Sequence, residues 1–508
     1  MDRCPPLSPS RKGTAFRPAR TACGPLPWLT AVAVVSVAVQ LTFVVPGSGL
    51  SWDETVYVSQ VGGNAPPAFF SAPRARGISY LAAPAAALTT STTVLRVYLA
   101  LLSAAGLVAA LWIWRKMLPT PVLVCAGALF AGLWPALYYG PAAMPNLWCA
   151  LGALAATGWA VRVLHGSAGR AEAVGAGAAA ALVTLMRPAD GFWLALPLAL
   201  AAVLVPGRRR PALAVALAAG PVAGLAPWTA EAYARHGGLL ARLDRAGEIQ
   251  GGLGWNLAVD DHLRSLAGRT LCRPCDIGWE SPGTALWWVA LPLLTAGGIR
   301  AARRAGRGSA ALLATATGAS TAVPYLFLVE YAAPRFLLPA YALLAVPVAE
   351  HVVHLAARAR RARTPVGPVL LTLALAAHLV VQLSVLSHVV RTSRATASEF
   401  AAVAGALNRL GIRRPCVVSG DHAVPVAYYA GCASRQTGGH DASITPEALS
   451  ALARRVPTAV LVAEGEDPPV AGPGTRVVTL PPGRGAGPRR TYLLPGPAAL
   501  EAATGESS

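Results

Sequence analysis

The sequence predicts an α-helical polytopic membrane protein of about 11 transmembrane helices, with interfacial helices in the first outer loop and a small C-terminal α/β domain. Of its 508 residues, 54% are hydrophobic and only 13% are charged, and the mean hydropathy is +0.49. In a soluble domain about a quarter of the residues would be charged. The other observation is a series of apolar runs long enough to cross about 30 Å of hydrocarbon as helices.

The apolar runs begin after residues 1–26, a polar and basic segment that we expect to be a disordered cytosolic tail. A cleaved signal peptide is the alternative interpretation of the first run, but no small-x-small cleavage pattern follows it. We therefore expect an uncleaved anchor. The runs lie near residues 27–45, 93–114, 119–139, 143–162, 171–187, 189–206, 211–230, 284–300, 309–329, 335–357 and 366–389.

Most basic residues fall on one side of this predicted topology. The connections assigned to the cytosol contain Arg115 and Lys116, the run 208–210 and the cluster 358–363. Such a bias follows the positive-inside rule of membrane proteins. The formal net charge of +20 is therefore assigned to contact with anionic membrane lipids, and a nucleic-acid partner is not expected.

The long connections fall on the other side, which we expect to be the working face. They are 46–92, 231–283 and the part of the chain after residue 390. Within the first of them, the stretches 66–70 and 78–88 are apolar but too short to span, which is typical of helices that lie in the interface.

The C-terminal part of the sequence alternates between helical and strand patterns. The patterns predict strands at 416–419, 459–462 and 491–494, and helices at 401–410 and 446–455, the second with Thr445 as N-cap and Pro446 at its first position. The expected units are a transmembrane domain at 27–390, an extracytoplasmic α/β domain at 391–495 and a disordered tail at 496–508.

Four cysteines on the expected outer side form two pairs that are local in sequence. Cys272 with Cys275, and Cys416 with Cys432, are candidate disulfides in an oxidising compartment. The first pair could instead supply half of a zinc site, but no second Cys or His pair with ligand spacing stands nearby.

Two adjacent acids, Asp53 and Glu54, follow the first apolar run. Tyr57 is four residues after Asp53 and shares its helix face, whereas Glu54 is rotated by about 100°. Two acids at the boundary of a membrane need a specific reason, because a charge there is costly. Capping of a helix N-terminus is the alternative role for both.

Four arginines depart from the positive-inside pattern because they lie on or near the outer face. They are Arg74, Arg76, Arg187 and Arg335. A charge at membrane depth is usually paired or functional, and the planar guanidinium group suits phosphate. Each arginine alone could be an interfacial side chain that reaches toward water. As a set beside the acids, they predict an outward-facing anion site.

Two further groups of polar residues are weaker candidates for a functional role. Asp421 and His422 follow a predicted strand and are similar to a catalytic loop, although turn formation is the commoner role of such a pair. Glu350, His351 and His354 lie toward the cytosolic end of the tenth run, where the spacing favours structural pairing over a proton relay.

Five short motifs, in this order and on these sides of the membrane, resemble the integral-membrane glycosyltransferases of the GT-C superfamily. The similar branch is that of the protein mannosyltransferases, aminoarabinose transferases and lipopolysaccharide-sugar transferases, and the resemblance covers roughly residues 27–390. The motifs are Asp53-Glu54-x-x-Tyr57, Pro73-Arg74-Ala75-Arg76-Gly77, Met144-Pro145-Asn146, Arg187-Pro188 and Pro334-Arg335-Phe336-Leu337-Leu338-Pro339-Ala340-Tyr341.

The resemblance implies a sugar donor carried on a polyprenyl phosphate, and transfer to an envelope or lipid acceptor on the non-cytosolic face. It assigns to Asp53 the role of general base or metal ligand, with Glu54 as the neighbouring acid and a divalent metal ion as a candidate cofactor. The arginines would bind phosphate. The residues expected to bind substrate are Tyr57, Arg74, Arg76, Arg187, Tyr331 and Arg335.

The expected reaction is a single inverting displacement. A partly desolvated carboxylate should have a raised pKa and take the proton of an acceptor hydroxyl, while cations stabilise the leaving phosphate. The chain departs from the protein mannosyltransferases because a C-terminal α/β piece replaces their sugar-binding repeat domain. A transporter or flippase of a lipid-linked or anionic substrate is the main alternative, and an inactive scaffold of envelope assembly is a third.

Overall fold

The computed structural model describes most of the chain. Some sequence predictions fall outside the described residues. They concern the expected C-terminal tail at 496–508, the expected N-terminal tail at 1–26 as far as residue 23, and the basic residues Arg208, Arg209 and Arg363. The described ranges are 24–166, 169–205, 210–252, 254–273, 275–276, 278–362, 365–463, 465–470, 474–480 and 489–494.

A bundle of α-helices makes up most of the described chain, and every apolar run of the sequence coincides with helix. The first helix continues as one π-helical segment, Gln40–Val44. The helices are α1 (Leu26–Val39), α2 (Trp52–Ser59), α3 (Gly77–Ala86), α4 (Thr92–Ile113), α5 (Thr120–Ala131), α6 (Trp134–Tyr139), α7 (Pro145–Leu164), α8 (Arg170–Met186), α9 (Pro188–Leu204), α10 (Pro211–Arg235), α11 (Leu239–Ile249), α12 (Val259–Ser265), α13 (Leu286–Arg304), α14 (Gly308–Phe327), α15 (Leu338–Arg361), α16 (Val366–Arg409), α17 (Ala423–Ala430) and α18 (Pro446–Ala453).

Within the described ranges, 8 helices are long and apolar enough to cross a membrane, so the expected number of 11 spans is not confirmed. Three apolar runs form shorter helices. The run 119–139 breaks into α5 and α6, because Pro135 has no N–H to continue a helix from the preceding turn. Helices α8 and α9, formed by the runs 171–187 and 189–206, are 17 residues long each.

Small residues allow the helices of the bundle to pack closely. Glycines on α8 and α10 bring the two backbones into contact: a Cβ atom on Gly220 would lie only 2.1 Å from the carbonyl oxygen of Gly177. Close approach through small residues is typical of helices in membranes. Helix α7 is buried along nearly its whole length and lies at the centre of the bundle.

The first long connection holds two short helices, α2 and α3. Helix α3 coincides with the expected interfacial stretch 78–88, but the stretch 66–70 is extended and its prediction as a helix was wrong. Pro66 and Pro67 cannot donate helical hydrogen bonds. Instead, Ala68 pairs with α2 through its backbone: its N–H donates to Ser59 Oγ over 3.1 Å, and its oxygen accepts from Gln60 Nε2 over 2.9 Å.

The C-terminal part forms a five-stranded sheet in the order β2-β1-β3-β5-β4. Strands β2, β1 and β3 are parallel, whereas β5 and β4 are antiparallel to their neighbours. The expected strands and the Thr445 cap are confirmed, while β2 and β4 were not expected. The strands are β1 (Val417–Gly420), β2 (Ala433–Ser434), β3 (Thr458–Val462), β4 (Arg476–Leu480) and β5 (Arg489–Leu494).

The sheet unit covers one end of the helical bundle, which we call the capped end. Helix α16, 44 residues long, runs from the bundle into this unit across the expected boundary at residue 390. Leu50 N–H donates to the Tyr429 hydroxyl over 2.6 Å, and Asn64 Nδ2 donates to the Tyr428 carbonyl over 2.7 Å. The first long connection is therefore enclosed between the bundle and the sheet unit.

Both predicted disulfides are formed at the capped end. Cys272 and Cys275 have Cα atoms 4.8 Å apart, as do Cys416 and Cys432. The second bridge joins the residue before β1 to the residue before β2. It therefore fixes the edge of the sheet that lies against α16 and the first long connection.

Candidate active site

Helix α2 carries the two adjacent acids, Asp53 and Glu54, in its first turn. A capping box between Ser51 and Glu54 fixes the start of the helix. The Glu54 carboxylate accepts from Ser51 N–H over 2.9 Å, from Ala143 N–H over 2.9 Å and from Arg96 Nη2 over 3.0 Å. Glu54 is 2% exposed. Its oxygens therefore join α2 to the bundle, and the side chain acts on the site through the position it gives to Asp53.

Asp53 lies between two guanidinium groups. Its Oδ1 accepts from Arg74 Nη1 over 2.8 Å, and its Oδ2 accepts from Arg335 Nη2 over 3.2 Å. The second arginine is itself held, because its Nη1 donates to the Thr270 carbonyl over 2.7 Å. The Asp53 side chain is 32% exposed, which leaves it accessible from a cavity.

The electrostatics of Asp53 are opposite to the expectation from sequence. Burial raises the pKa of the carboxyl group, but the attraction of Arg74 and Arg335 and the hydrogen bond from Arg74 outweigh it, so the net pKa is lowered from 3.8. The expected raised pKa was wrong because sequence reasoning counted the loss of water and not the two cations. In this state Asp53 is ionised at neutral pH and is a weak base.

Arg187 lies at the junction of α8 and α9, where its guanidinium group contacts two aromatic rings. The distances to the ring centroids are 5.1 Å for Tyr325 and 4.8 Å for Phe336. Its Nε lies 3.6 Å from Oδ2 of Asp190, and the Tyr325 hydroxyl donates to Oδ1 of the same acid. Arg187 and Asp190 are three residues apart, so this ion pair is local in the sequence.

The two tyrosines of the predicted site lie beside these arginines. Tyr57 has its ring centroid 5.5 Å from the Arg74 guanidinium carbon, and Tyr331 has its centroid 4.6 Å from that of Arg273. Sequence reasoning missed Arg273. Its neighbour Cys272 pairs through its backbone with Ala332, next to Tyr331, and this pairing brings the arginine to the site.

Arg76 is not brought into this group. It binds Glu231 through Nη2 over 2.5 Å and stacks on Phe70 with a centroid distance of 4.4 Å. Arg242, which sequence reasoning also missed, is fully buried and donates to the carbonyls of Ala72 and Arg74, each over 3.0 Å. These two arginines position the segment that carries Arg74.

Asp53 and Arg335 line two cavities at once. The first, which we call the arginine cavity, has a volume of about 540 Å³. The second, which we call the hydroxyl cavity, has a volume of about 630 Å³. The arginine cavity is also lined by Arg74, Arg187, Arg273, Tyr57, Tyr331 and Asn146, and the hydroxyl cavity by Tyr138, Thr392, Ser393 and Thr396.

Asn146 lies in the first turn of α7 at the wall of the arginine cavity. It is 1% exposed, and neither atom of its amide group has a hydrogen-bond partner in the structure. Buried amides are nearly always paired, so an exception at a cavity wall is a candidate for contact with a ligand or water in the cavity. The sequence signal was the motif Met144-Pro145-Asn146.

The acids of this site do not fit a divalent metal ion. Two guanidinium groups face the oxygens of Asp53, and donors surround those of Glu54. In the part of the chain that the structure describes, no cluster of three His, Cys, Asp or Glu residues could hold a metal.

Solved structures share this fold at low sequence identity. ArnT from Cupriavidus metallidurans bound to undecaprenyl phosphate superimposes with a TM-score of 0.65 over 92% of this chain and 98% of that chain, at 13% identity. Its apo state gives a TM-score of 0.63 at 12% identity. The archaeal oligosaccharyltransferase AglB from Archaeoglobus fulgidus, in complex with an inhibitory peptide and a dolichol-phosphate, gives a TM-score of 0.51 at 15% identity over 86% of this chain and 69% of that chain.

The chain thus has the fold of ArnT and shares its architecture with AglB. The similarity to ArnT covers nearly the whole length of both chains. No protein-family model matches the sequence, and no curated protein sequence matches it.

Proposed function

We propose that this protein is a glycosyltransferase that moves a sugar from a polyprenyl-phosphate donor to an envelope or lipid acceptor. The observation that carries the proposal is the position of Asp53, in the wall between the arginine cavity and the hydroxyl cavity. An inverting displacement needs the leaving group and the incoming hydroxyl on opposite sides of the anomeric carbon. Two cavities that share one carboxylate provide that arrangement.

The capped end is proposed to face the extracytoplasmic side. The opposite end carries Arg115, Lys116, Arg162 and Arg307, and an excess of such residues marks the cytosolic side. The capped end carries both disulfides, which form in oxidising compartments. The N-terminus then lies in the cytosol, since α1 begins at the uncapped end.

The donor phosphate is proposed to bind in the arginine cavity. Arg74, Arg187, Arg273 and Arg335 line it, and charge-assisted hydrogen bonds from arginine suit phosphate oxygens. The fold relatives support this class of ligand, because ArnT was solved with undecaprenyl phosphate and AglB with a dolichol-phosphate. The unpartnered Asn146 amide on the same wall is proposed to hydrogen-bond the donor.

Asp53 is proposed to be the general base, and donor binding is proposed to activate it. A phosphate between Arg74 and Arg335 competes for the guanidinium groups that lower the pKa of Asp53. The pKa then rises, and the carboxylate takes the proton of an acceptor hydroxyl in the hydroxyl cavity. The hydroxyl oxygen attacks the anomeric carbon, and the phosphate leaves with its charge neutralised by the arginines.

The test combines binding and turnover in purified protein in lipid nanodiscs. We expect saturable binding of polyprenyl phosphate, and transfer from a panel of radiolabelled polyprenyl-phosphate hexoses and pentoses to an envelope extract. Asp53→Asn should keep the fold and lose transfer by about 1,000-fold or more, and the exposed Asp260→Asn should retain it. Near-normal transfer by Asp53→Asn would sink the assignment. Binding without transfer of any donor would favour a transporter or flippase.

A further inference from the structure

The C-terminal sheet unit contributes an Asp–His pair to the same site. Asp421 and His422 follow β1 directly, and both line the arginine cavity, while His422 also lines the hydroxyl cavity. The ring Nδ1 of His422 lies 2.5 Å from Oδ1 of Asp421. The pair follows a strand as in a catalytic loop, and it has no part in the roles proposed for Asp53 and the arginines.

The backbone of His422 is held in a conformation that favours glycine. With φ of 53°, it is the one residue other than glycine with positive φ in the described ranges. Such conformations cost about 1 kcal/mol or more and cluster at functional sites, where the surrounding structure maintains them. The turn needs no histidine for its own formation, because asparagine or glycine would adopt this conformation at lower cost.

The surrounding structure fixes the turn from several sides. Gln436 holds Gly420 through two hydrogen bonds, from Gly420 N–H to Oε1 over 3.1 Å and from Nε2 to the Gly420 carbonyl over 3.0 Å. Asp421 N–H donates to the Leu461 carbonyl over 2.8 Å. The Asp–His pair is therefore presented at a defined place at the end of the sheet.

The His422 ring is held close to the proposed base. It packs against Trp52, the residue before Asp53, with a centroid distance of 6.1 Å, and against Phe400 of α16 with a distance of 5.5 Å. Trp52 is in turn anchored to the sheet unit, because its Nε1 donates to Asp441 Oδ2 over 3.1 Å. One aromatic side chain thus connects the wall that carries Asp53 to the wall that carries His422.

We propose that His422, oriented by Asp421, binds a hydroxyl group of the reacting sugars at the wall shared by the two cavities. This inference rests on the proposed function. The four arginines are assigned to the phosphate, and the Asp–His pair lines the same cavity from the end of β1 in the sheet unit. An imidazole held through Nδ1 is a fixed hydrogen-bonding group for a hydroxyl. The sheet unit therefore acts in sugar recognition and does not only cover the bundle.

The test separates the imidazole from the backbone turn. His422→Asn and His422→Gly keep a residue that tolerates positive φ, so we expect both variants to melt at or above the temperature of the wild type. Transfer from the polyprenyl-phosphate sugar that the wild type uses should fall by roughly 10- to 100-fold, the loss expected for one hydrogen bond to the reacting groups. Exogenous imidazole should restore part of the activity of His422→Gly. The rate of transfer by Asp421→Asn should fall by a smaller factor, because Asp421 only orients the His422 ring.

Binding of sugar-free polyprenyl phosphate distinguishes the two proposals. It should change by less than about twofold in the His422 variants, since the arginines remain. The control is His354→Gln, an exposed position near the uncapped end of α15. Normal transfer by both His422 variants overturns this inference and leaves the proposed function intact. A loss of polyprenyl phosphate binding equal to the loss of transfer also overturns it. Absence of binding and transfer in the wild type overturns the proposed function itself.

Discussion

Arg335 and Asp53 are 282 residues apart in sequence, and Arg335 Nη2 lies 3.2 Å from Asp53 Oδ2. The contact joins the 3-10 turn Pro334–Leu337, which precedes α15, to the first turn of α2, and both residues line two cavities. Arg74 holds the other carboxylate oxygen. An acid with two arginines is a poor base until an anion competes for them, and this geometry leads to the following expectations.

Replacement of Arg335 by lysine tests the phosphate contact. Lysine keeps the positive charge but loses the planar fork that contacts Asp53 and the Thr270 carbonyl together. We expect the affinity for polyprenyl phosphate to fall about tenfold, and Arg335→Gln to lose more, as measured by titration in nanodiscs. Arg245→Lys, in an exposed pair on α11, is the control. Equal affinities of the wild type and Arg335→Gln would remove Arg335 from the phosphate site.

Replacement of Asn146 by leucine should separate stability from activity. The substitution removes a buried amide without partners, so we expect the variant to be more stable by about 1 kcal/mol. Transfer should fall, because the proposed hydrogen bond to the donor is lost. Thermal melting and initial rates on the same preparations measure both effects. A variant that is less stable and fully active would contradict this role of Asn146.

Replacement of Glu54 by glutamine tests the support of α2. The change leaves Arg96, itself 4% exposed, without its charged partner. Removal of one member of a buried ion pair costs about 3 kcal/mol or more. We therefore expect a large fall in melting temperature, and Glu280→Gln, in an exposed pair with Arg269, should change it little. An unchanged melting temperature would show that Glu54 is not a structural anchor.

The contribution of the Asp53 charge to the stability of the protein should change with pH only in acid. Its pKa is lowered in the folded state by Arg74 and Arg335, so the ion pairs contribute fully above the unfolded pKa of about 3.9. The contribution is lost as the pH falls through the folded pKa. The difference in melting temperature between the wild type and Asp53→Asn should be constant from about pH 5 to 8 and shrink below about pH 4. A difference that shrinks near neutral pH would instead indicate a raised pKa.

The two disulfides should differ in their effect on stability. Cys416 and Cys432 are 16 residues apart, and Cys272 and Cys275 only 3. A longer closed loop restricts the unfolded chain more, by about 3 kcal/mol for a loop of this size. Replacement of Cys416 and Cys432 by alanine should therefore lower the unfolding temperature more than replacement of Cys272 and Cys275 by alanine. Equal effects of the two replacements would indicate that local contacts, and not the entropy of the unfolded chain, set the contribution of each disulfide.

The sequence alone determined the membrane character of the chain, the position of the long apolar helices and both disulfides. These features follow from local composition and spacing, since an apolar run long enough to cross a membrane forms a helix wherever it lies. It also pointed to Asp53, Arg187 and Arg335. A charged residue beside an apolar run can be recognised in the sequence, and a charge at membrane depth is usually paired or functional.

Only the tertiary structure decided which charges meet. Nothing in the order of residues pairs Asp53 with Arg335, places Arg76 on Glu231, or brings Arg273 and His422 to the same cavity. For the same reason the direction of the Asp53 pKa was wrong from sequence. Electrostatic interactions depend on distances of a few ångströms between residues far apart in the chain, and the fold alone sets those distances.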